Sequence, residues 1–195
     1  MLIEQLSGRT VIRENFDSDG NIVSKQHFQI GEIQQSQGMY EIEINVELFN
    51  ENGEFENKYS TFFQCDYDEV SIMVVIIPFL NPKSKKTIVN SKSANFVKLY
   101  NFDNLEDIEV EISFESGFLK VFGSKSIIRL YNRTFLSEAG KYEIQSKLSI
   151  KAYAFGLRVK NLDYEVVEIF ENNNLLISQI FINSDGSYFS MRYID

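Results

Sequence analysis

Tyr40-Glu41-Ile42-Glu43-Ile44-Asn45-Val46-Glu47-Leu48, running on into Phe49-Asn50-Glu51-Asn52-Gly53, is the stretch that decides the fold. Apolar residues take every second position and acidic or amide residues take those between. That is the period of a strand with one buried face and one wet face. The polar run that follows ends in Gly53, which tolerates the positive φ that a hairpin turn demands. One-sided strands of this kind belong to antiparallel sheets, because parallel strands are covered on both faces.

The same punctuation recurs at Phe16-Asp17-Ser18-Asp19-Gly20 and at Ile182-Asn183-Ser184-Asp185-Gly186. Three hairpins are therefore predicted. Thr10–Asp17 pairs with Ile22–Ile33, Met39–Asn50 with Phe55–Cys65, and Leu175–Asn183 with Tyr188–Ile194. Ile108, Val110, Ile112 and Phe114 alternate with Asp107, Glu109, Glu111 and Ser113, and Tyr142, Ile144, Leu148 and Ile150 line one face of another strand. The run Ile72–Ile77 is apolar on both faces, as expected where a sheet curls over itself or is covered. Helix signals are few. Ser93 is placed to cap a short helix through Phe96, Val97 and Tyr100, and Leu162, Val166 and Phe170 have helical spacing. β-branched and aromatic residues dominate both stretches, which favours strands. Asn81–Lys86 reads as a loop and is the one basic cluster.

The expected architecture is all-β: antiparallel strands joined by hairpins in a strongly curled sheet or β-barrel, with few or no helices. With 195 residues, 44% of them hydrophobic and 24% charged, the chain fits one globular domain over residues 1–195. Seventeen Phe and ten Tyr with no Trp point the same way, since flat rings pack well on a pleated surface. A net charge of −9 removes the electrostatic footing for nucleic acid and weighs against an anionic membrane surface. Ile72–Leu80, the longest apolar run, is too short to span a bilayer. Met1-Leu2-Ile3 meets Glu4 at once, with neither the basic start nor the cleavage pattern of a secretory leader. On those residues the expectation is a cytoplasmic protein, or an exported one in mature form.

Several segments, taken in order, resemble the TapB-like family of exported domains. Gly8 with Thr10-Val11-Ile12 and the turn Asn15–Gly20 is similar to the family's opening strand and turn. Phe62-Phe63-Gln64-Cys65 leading into Val70–Met73 resembles its Cys-containing segment, and Ala139-Gly140-Lys141-Tyr142 resembles its "A-G-T-F-x-C". Ala154–Lys160 is similar to "G-x-G-x-V-K", and Ile182–Gly186 to the closing turn. Ile144 stands where a second family Cys would be, so a family disulfide is out of reach. The resemblance implies a curled antiparallel sheet or barrel outside the cytoplasm, and it carries no known activity.

Chemistry-bearing residues are sparse. His27 is the one histidine and Cys65 the one cysteine. A zinc site would have to draw its remaining ligands from carboxylates with no tight spacing. A Cys65–His27 nucleophilic pair would require the two to meet in space. Cys65 is read instead as a buried free thiol. Asn15–Gly20 is similar to half a calcium loop, but position twelve would fall on Gln26, which cannot supply the bidentate carboxylate. Glu41, Glu43 and Glu47 form a row that could serve glycoside hydrolysis, or simply a solvated face that discourages edge pairing. Asn132-Arg133-Thr134 fits a glycosylation acceptor. No catalytic, cofactor-binding or metal residue is assigned, and a monomer is expected. Three functional readings remain: a carrier of an apolar or lipid-like ligand inside the curled sheet, a protein- or glycan-interaction module with an aromatic and acidic surface, and a hydrolase using the carboxylates or Cys65.

Overall fold

A computed structural model describes residues 6–36, 39–66, 77–79, 86–91, 100–114, 125–138, 141–154, 157–171 and 175–194. These contain β1 (Thr10–Phe16), β2 (Ile22–Ile30), β3 (Gln34–Ser36), β4 (Met39–Phe49), β5 (Phe55–Asp66) and β6 (Lys86–Ser91). There follow β7 (Ile108–Phe114), β8 (Lys125–Glu138), β9 (Lys141–Ala154), β10 (Leu157–Glu171), β11 (Leu176–Asn183) and β12 (Tyr188–Ile194). All twelve belong to one sheet, and every adjacent pair is antiparallel except β5–β6. The expected all-β, hairpin-built, curled sheet is the fold observed.

The three predicted hairpins form with the predicted pairings. In each turn the glycine N–H donates to the carbonyl three residues back, and that residue's own N–H donates across the turn: Asp17 to Asn21, Asn50 to Glu54, Asn183 to Ser187. Gly20, Gly53 and Gly186 sit at φ 84°, 78° and 86°. Such a three-residue loop ends in a left-handed position, where an L side chain would cost about 1–2 kcal/mol. The helical spacing of Leu162, Val166 and Phe170 is overridden: these residues lie in β10, whose branched and aromatic side chains pack in a sheet. The candidate helix from Ser93 falls at residues 93–99, outside the described residues, as do Ile72–Ile76 and most of the Asn81–Lys86 loop. Ile77 begins a 3-10 turn, Ile77–Phe79.

Curling follows from how β2 and β3 share one edge of β4. Gln34–Ser36 cover Glu41 to Met39, and Lys25–Ile30 cover Phe49 to Ile44. Between them Gly31 donates its N–H to the Glu43 carbonyl at 2.8 Å. A Cβ on Gly31 would stand 2.9 Å from that oxygen, so only glycine allows the approach. Since β2 also pairs with β1, and β1 with β12, the sheet bends until strands from its two ends meet. Its inner face carries the core, including Val11, Phe28, Ile44, Phe63, Ile144, Phe170, Phe181 and Met191. Segments outside the ladder also sit on that face, Leu6 among them. Ile77 of the 3-10 turn is fully buried in the core, and Tyr100, Phe102 and Leu105 pack against it.

Candidate functional site

Alternation along β10 carries Tyr164, Val166, Glu168 and Phe170 to the inner face, so a carboxylate occupies a core position between Val166 and Phe170. Glu168 is 2% exposed. Its Oε1 accepts from the Tyr100 hydroxyl at 2.7 Å and from Gln179 Nε2 at 2.8 Å. The Tyr193 hydroxyl in turn donates to Gln179 Oε1, and Arg9 donates to the Tyr193 carbonyl at 3.2 Å. Burial pushes the Glu168 carboxyl above its ordinary range, against the pull of its two donors and of Arg133. Burial and the neighbouring carboxyl hold the Tyr100 phenol well above its usual value. Oε2 of Glu168 has no hydrogen-bond partner among the described residues. Desolvation and the two hydrogen bonds thus oppose each other at this carboxyl, and desolvation is the larger cause.

Arg13 is the second polar intrusion, between Val11 and Asn15 on the inner side of β1. Its guanidinium carbon lies 3.9 Å from the Phe189 ring centre. Nε donates to Asn15 Oδ1 at 2.8 Å, and Nη1 donates to the Pro78 carbonyl. Desolvation lowers its pKa to about 10, and burial pushes the nearby Tyr59 phenol up to about 12. Arg13 thus anchors the 3-10 turn, much as Glu168 anchors Tyr100.

Two clefts are lined by described residues. One, of about 480 Å³, is lined by Tyr100, Phe102, Phe135 and Tyr142 with Asn101, Asp103 and Ser137. Phe102 lies 5.5 Å from Phe135 and 5.8 Å from Tyr142 between ring centres, and Tyr100 packs edge-on to Phe170 at 5.1 Å. The wall of this cleft is therefore continuous with the Glu168 network through the Tyr100 hydroxyl. The other, of about 350 Å³, is lined by Glu109, Ile127, Arg129, Tyr131, Ser149, Lys151, Arg158, Asn161 and Asp163. Register places Glu109, Arg129, Ser149 and Asp163 in one row across β7, β8, β9 and β10. Three strand spacings put the backbones of the two acids roughly 14 Å apart. Glycosidic cleavage needs carboxyls about 5–9.5 Å apart.

The residues singled out from sequence do not come together. His27 pairs with Glu47, and Cys65 with Tyr40, at positions of β4 about 24 Å apart along the strand. His27 packs on Phe49 at 4.7 Å, and burial lowers its pKa. The Cys65 side chain, on which the buried-thiol expectation falls, lies outside the described residues. Asp17 turns its carboxylate onto its own hairpin: Oδ1 accepts the N–H groups of Asp19 and Asn21, and Oδ2 accepts Asn21 Nδ2. These bonds hold its pKa down, the Asn21 side chain foremost. Gln26 lies within β2, opposite Arg13 and Leu48. Glu41, Glu43 and Glu47 share a strand face. Glu47 pairs with Lys58 at 3.1 Å, and Glu43 stands opposite the exposed Phe62. Asn132 sits at φ 54° in a bulge of β8, its N–H held by Asp107 at 3.0 Å. Sequence reading missed Glu168, Arg13 and the Tyr100–Asp103 cleft. The signal for the first two was a charged residue in an apolar register; the cleft has no local signal.

No family model matches the chain and no curated protein matches its sequence, so the resemblance to the TapB-like family rests on motif order. Among solved structures, a candidate lipoprotein from Parabacteroides distasonis is similar over 97% of this chain and 94% of its own, at 12% identity and a TM-score of 0.49. A candidate exported protein with a YmcC-like fold from Bacteroides fragilis is similar over 96% of this chain and 94% of its own, at 11% identity and a TM-score of 0.44. These likenesses assign neither ligand nor activity.

Proposed function

We propose that this chain is a non-catalytic, extracytoplasmic binding domain that takes one small amphipathic ligand in the Tyr100–Tyr142 cleft. The observation that carries the reading is the cleft's make-up: about 480 Å³, four aromatic rings, and three polar side chains. Ligand sites have that volume and that mixture of apolar walls with a few orienting polar groups. The apolar body of a lipid-like molecule packs on Phe102, Phe135 and Tyr142, and Asn101, Asp103 and Ser137 hold its polar end. The extracytoplasmic setting draws support from the order of the family-like motifs. Tyr100 packs on the inner face and forms one wall of the cleft, so the reading keeps the ligand within the curled sheet.

The test is displacement of an environment-sensitive dye by fatty acids, with native mass spectrometry of the purified chain. Binding is expected, and Phe135→Ala should weaken it about tenfold, the loss of one aromatic contact. No displacement by any acyl ligand, or displacement unchanged in Phe135→Ala, would overturn the reading. The same polar rim also suits sugar hydroxyls stacked on rings, so displacement by oligosaccharides but not by fatty acids would identify the glycan module.

A further inference from the structure

The β9–β10 end of the sheet is unlike the rest of this acidic chain. Leu157-Arg158-Val159-Lys160 opens β10, and every residue from Leu157 to Asn161 is exposed. Leu157 and Val159, at 72% and 64%, are the most exposed large hydrophobic residues among those described. Lys151 stands beside them opposite Asn161, and Arg158 opposite Tyr153. Lys151, Arg158 and Lys160 have no carboxylate partner among the described residues. Tyr164 is level with Asn183 at the acidic β11–β12 turn, so the strand beyond it projects about 20 Å past that turn. That distance exceeds two screening lengths at physiological salt, ~8 Å each, so the carboxylates of that turn are screened from the tip, and the nearer acids are Glu109 and Asp163, which line a cleft with Lys151 and Arg158.

We propose that this tip docks the domain on an anionic lipid surface, with Leu157 and Val159 entering the headgroup layer and Lys151, Arg158 and Lys160 facing its phosphates. Charge complementarity selects an anionic partner. The two most exposed aliphatic side chains among those described alternate with the cations along one strand, which is the chemistry of an interfacial anchor. Interfacial binding needs only a few aliphatic side chains with cations around them. The proposed ligand cleft lies at the other end of the β8–β9 ladder, near Ser137 and Tyr142, so the two readings stand or fall separately.

The experiment is co-sedimentation of the whole chain with vesicles of phosphatidylcholine alone and of equimolar phosphatidylcholine and phosphatidylglycerol. Binding is expected only to the mixed vesicles and should fall as salt is raised. Neutralising two cations in R158Q/K160Q should reduce partitioning roughly 25-fold, about fivefold for each charge. L157S/V159S should also lose binding, and both variants should melt like the native chain because the positions are exposed. Equal binding to both vesicle types, or unchanged partitioning of both folded variants, overturns the proposal. Retention on polyglutamate without vesicle binding overturns it as well, in favour of an acidic protein partner.

Discussion

Glu168 sets two physical terms against each other, and burial decides between them. The Tyr100 and Gln179 hydrogen bonds favour the carboxylate, whereas removal from water disfavours it, and the second is the larger cause. Because the folded-state pKa is raised, the folded protein holds a proton that the unfolded chain releases at lower pH. The stability this supplies is complete below the ordinary carboxylate pKa and is lost as pH rises through the folded value. Glu168→Gln keeps the Oε1 acceptor and removes the charge. The variant should therefore melt above the native protein at pH 8, with the gap narrowing at pH 5. A gap independent of pH, or a lower melting temperature for the variant at pH 8, would show that the buried group is a stabilised carboxylate. Arg13 presents the opposite charge in the same kind of position, and desolvation lowers its pKa because burial disfavours the charged form of a base as it does that of an acid.

Among the elements, the hairpins were legible because every determinant of a hairpin is local. Asn50-Glu51-Asn52-Gly53 contains its own capping amide and its own left-handed glycine, and the alternation on either side fixes register. The pairing of β2 with β4 and the parallel pairing of β5 with β6 had no such signal. They join segments through long excursions, and their register is set by which faces need covering. The same holds for the cleft, whose rings come from the Tyr100–Leu105 segment and from both strands of a distant hairpin. Gly31 is the exception, a non-local contact with a local requirement. Gly31→Ala should lower stability by about 1–3 kcal/mol, because the Glu43 carbonyl must move for the added carbon. Each kcal/mol corresponds to a fall of about 2–4 °C in melting temperature for a chain of this size. An unshifted melt would mean that β2 and β4 separate at Gly31 without cost.

For the molecule as a whole, the weakest part of the sheet is set by how its ladders are made. β9 and β10 pair from Leu157–Ala154 to Glu171–Lys141, and β8 pairs with β9 over nearly the same length. Among the described residues, β6 is held by Phe62–Cys65 on one side, in parallel, and by Ile112–Phe114 on the other. Parallel pairing is slightly less stable per residue, and fewer bonds must break to release a short strand. Local opening draws on such low-stability elements, while the core ladders open only with global unfolding. Native-state hydrogen exchange should accordingly release the amides of β6, with those of the three-residue edge strand β3, before the rest of the sheet and those of Ile144, Leu148 and Ile150 in β9 last. The β6 amides should also exchange by a route insensitive to low denaturant, since little surface is exposed when one short strand leaves. If β6 and β9 exchange together at one free energy, the sheet opens as a single unit. The β5–β6–β7 seam is then as strong as the hairpins beside it.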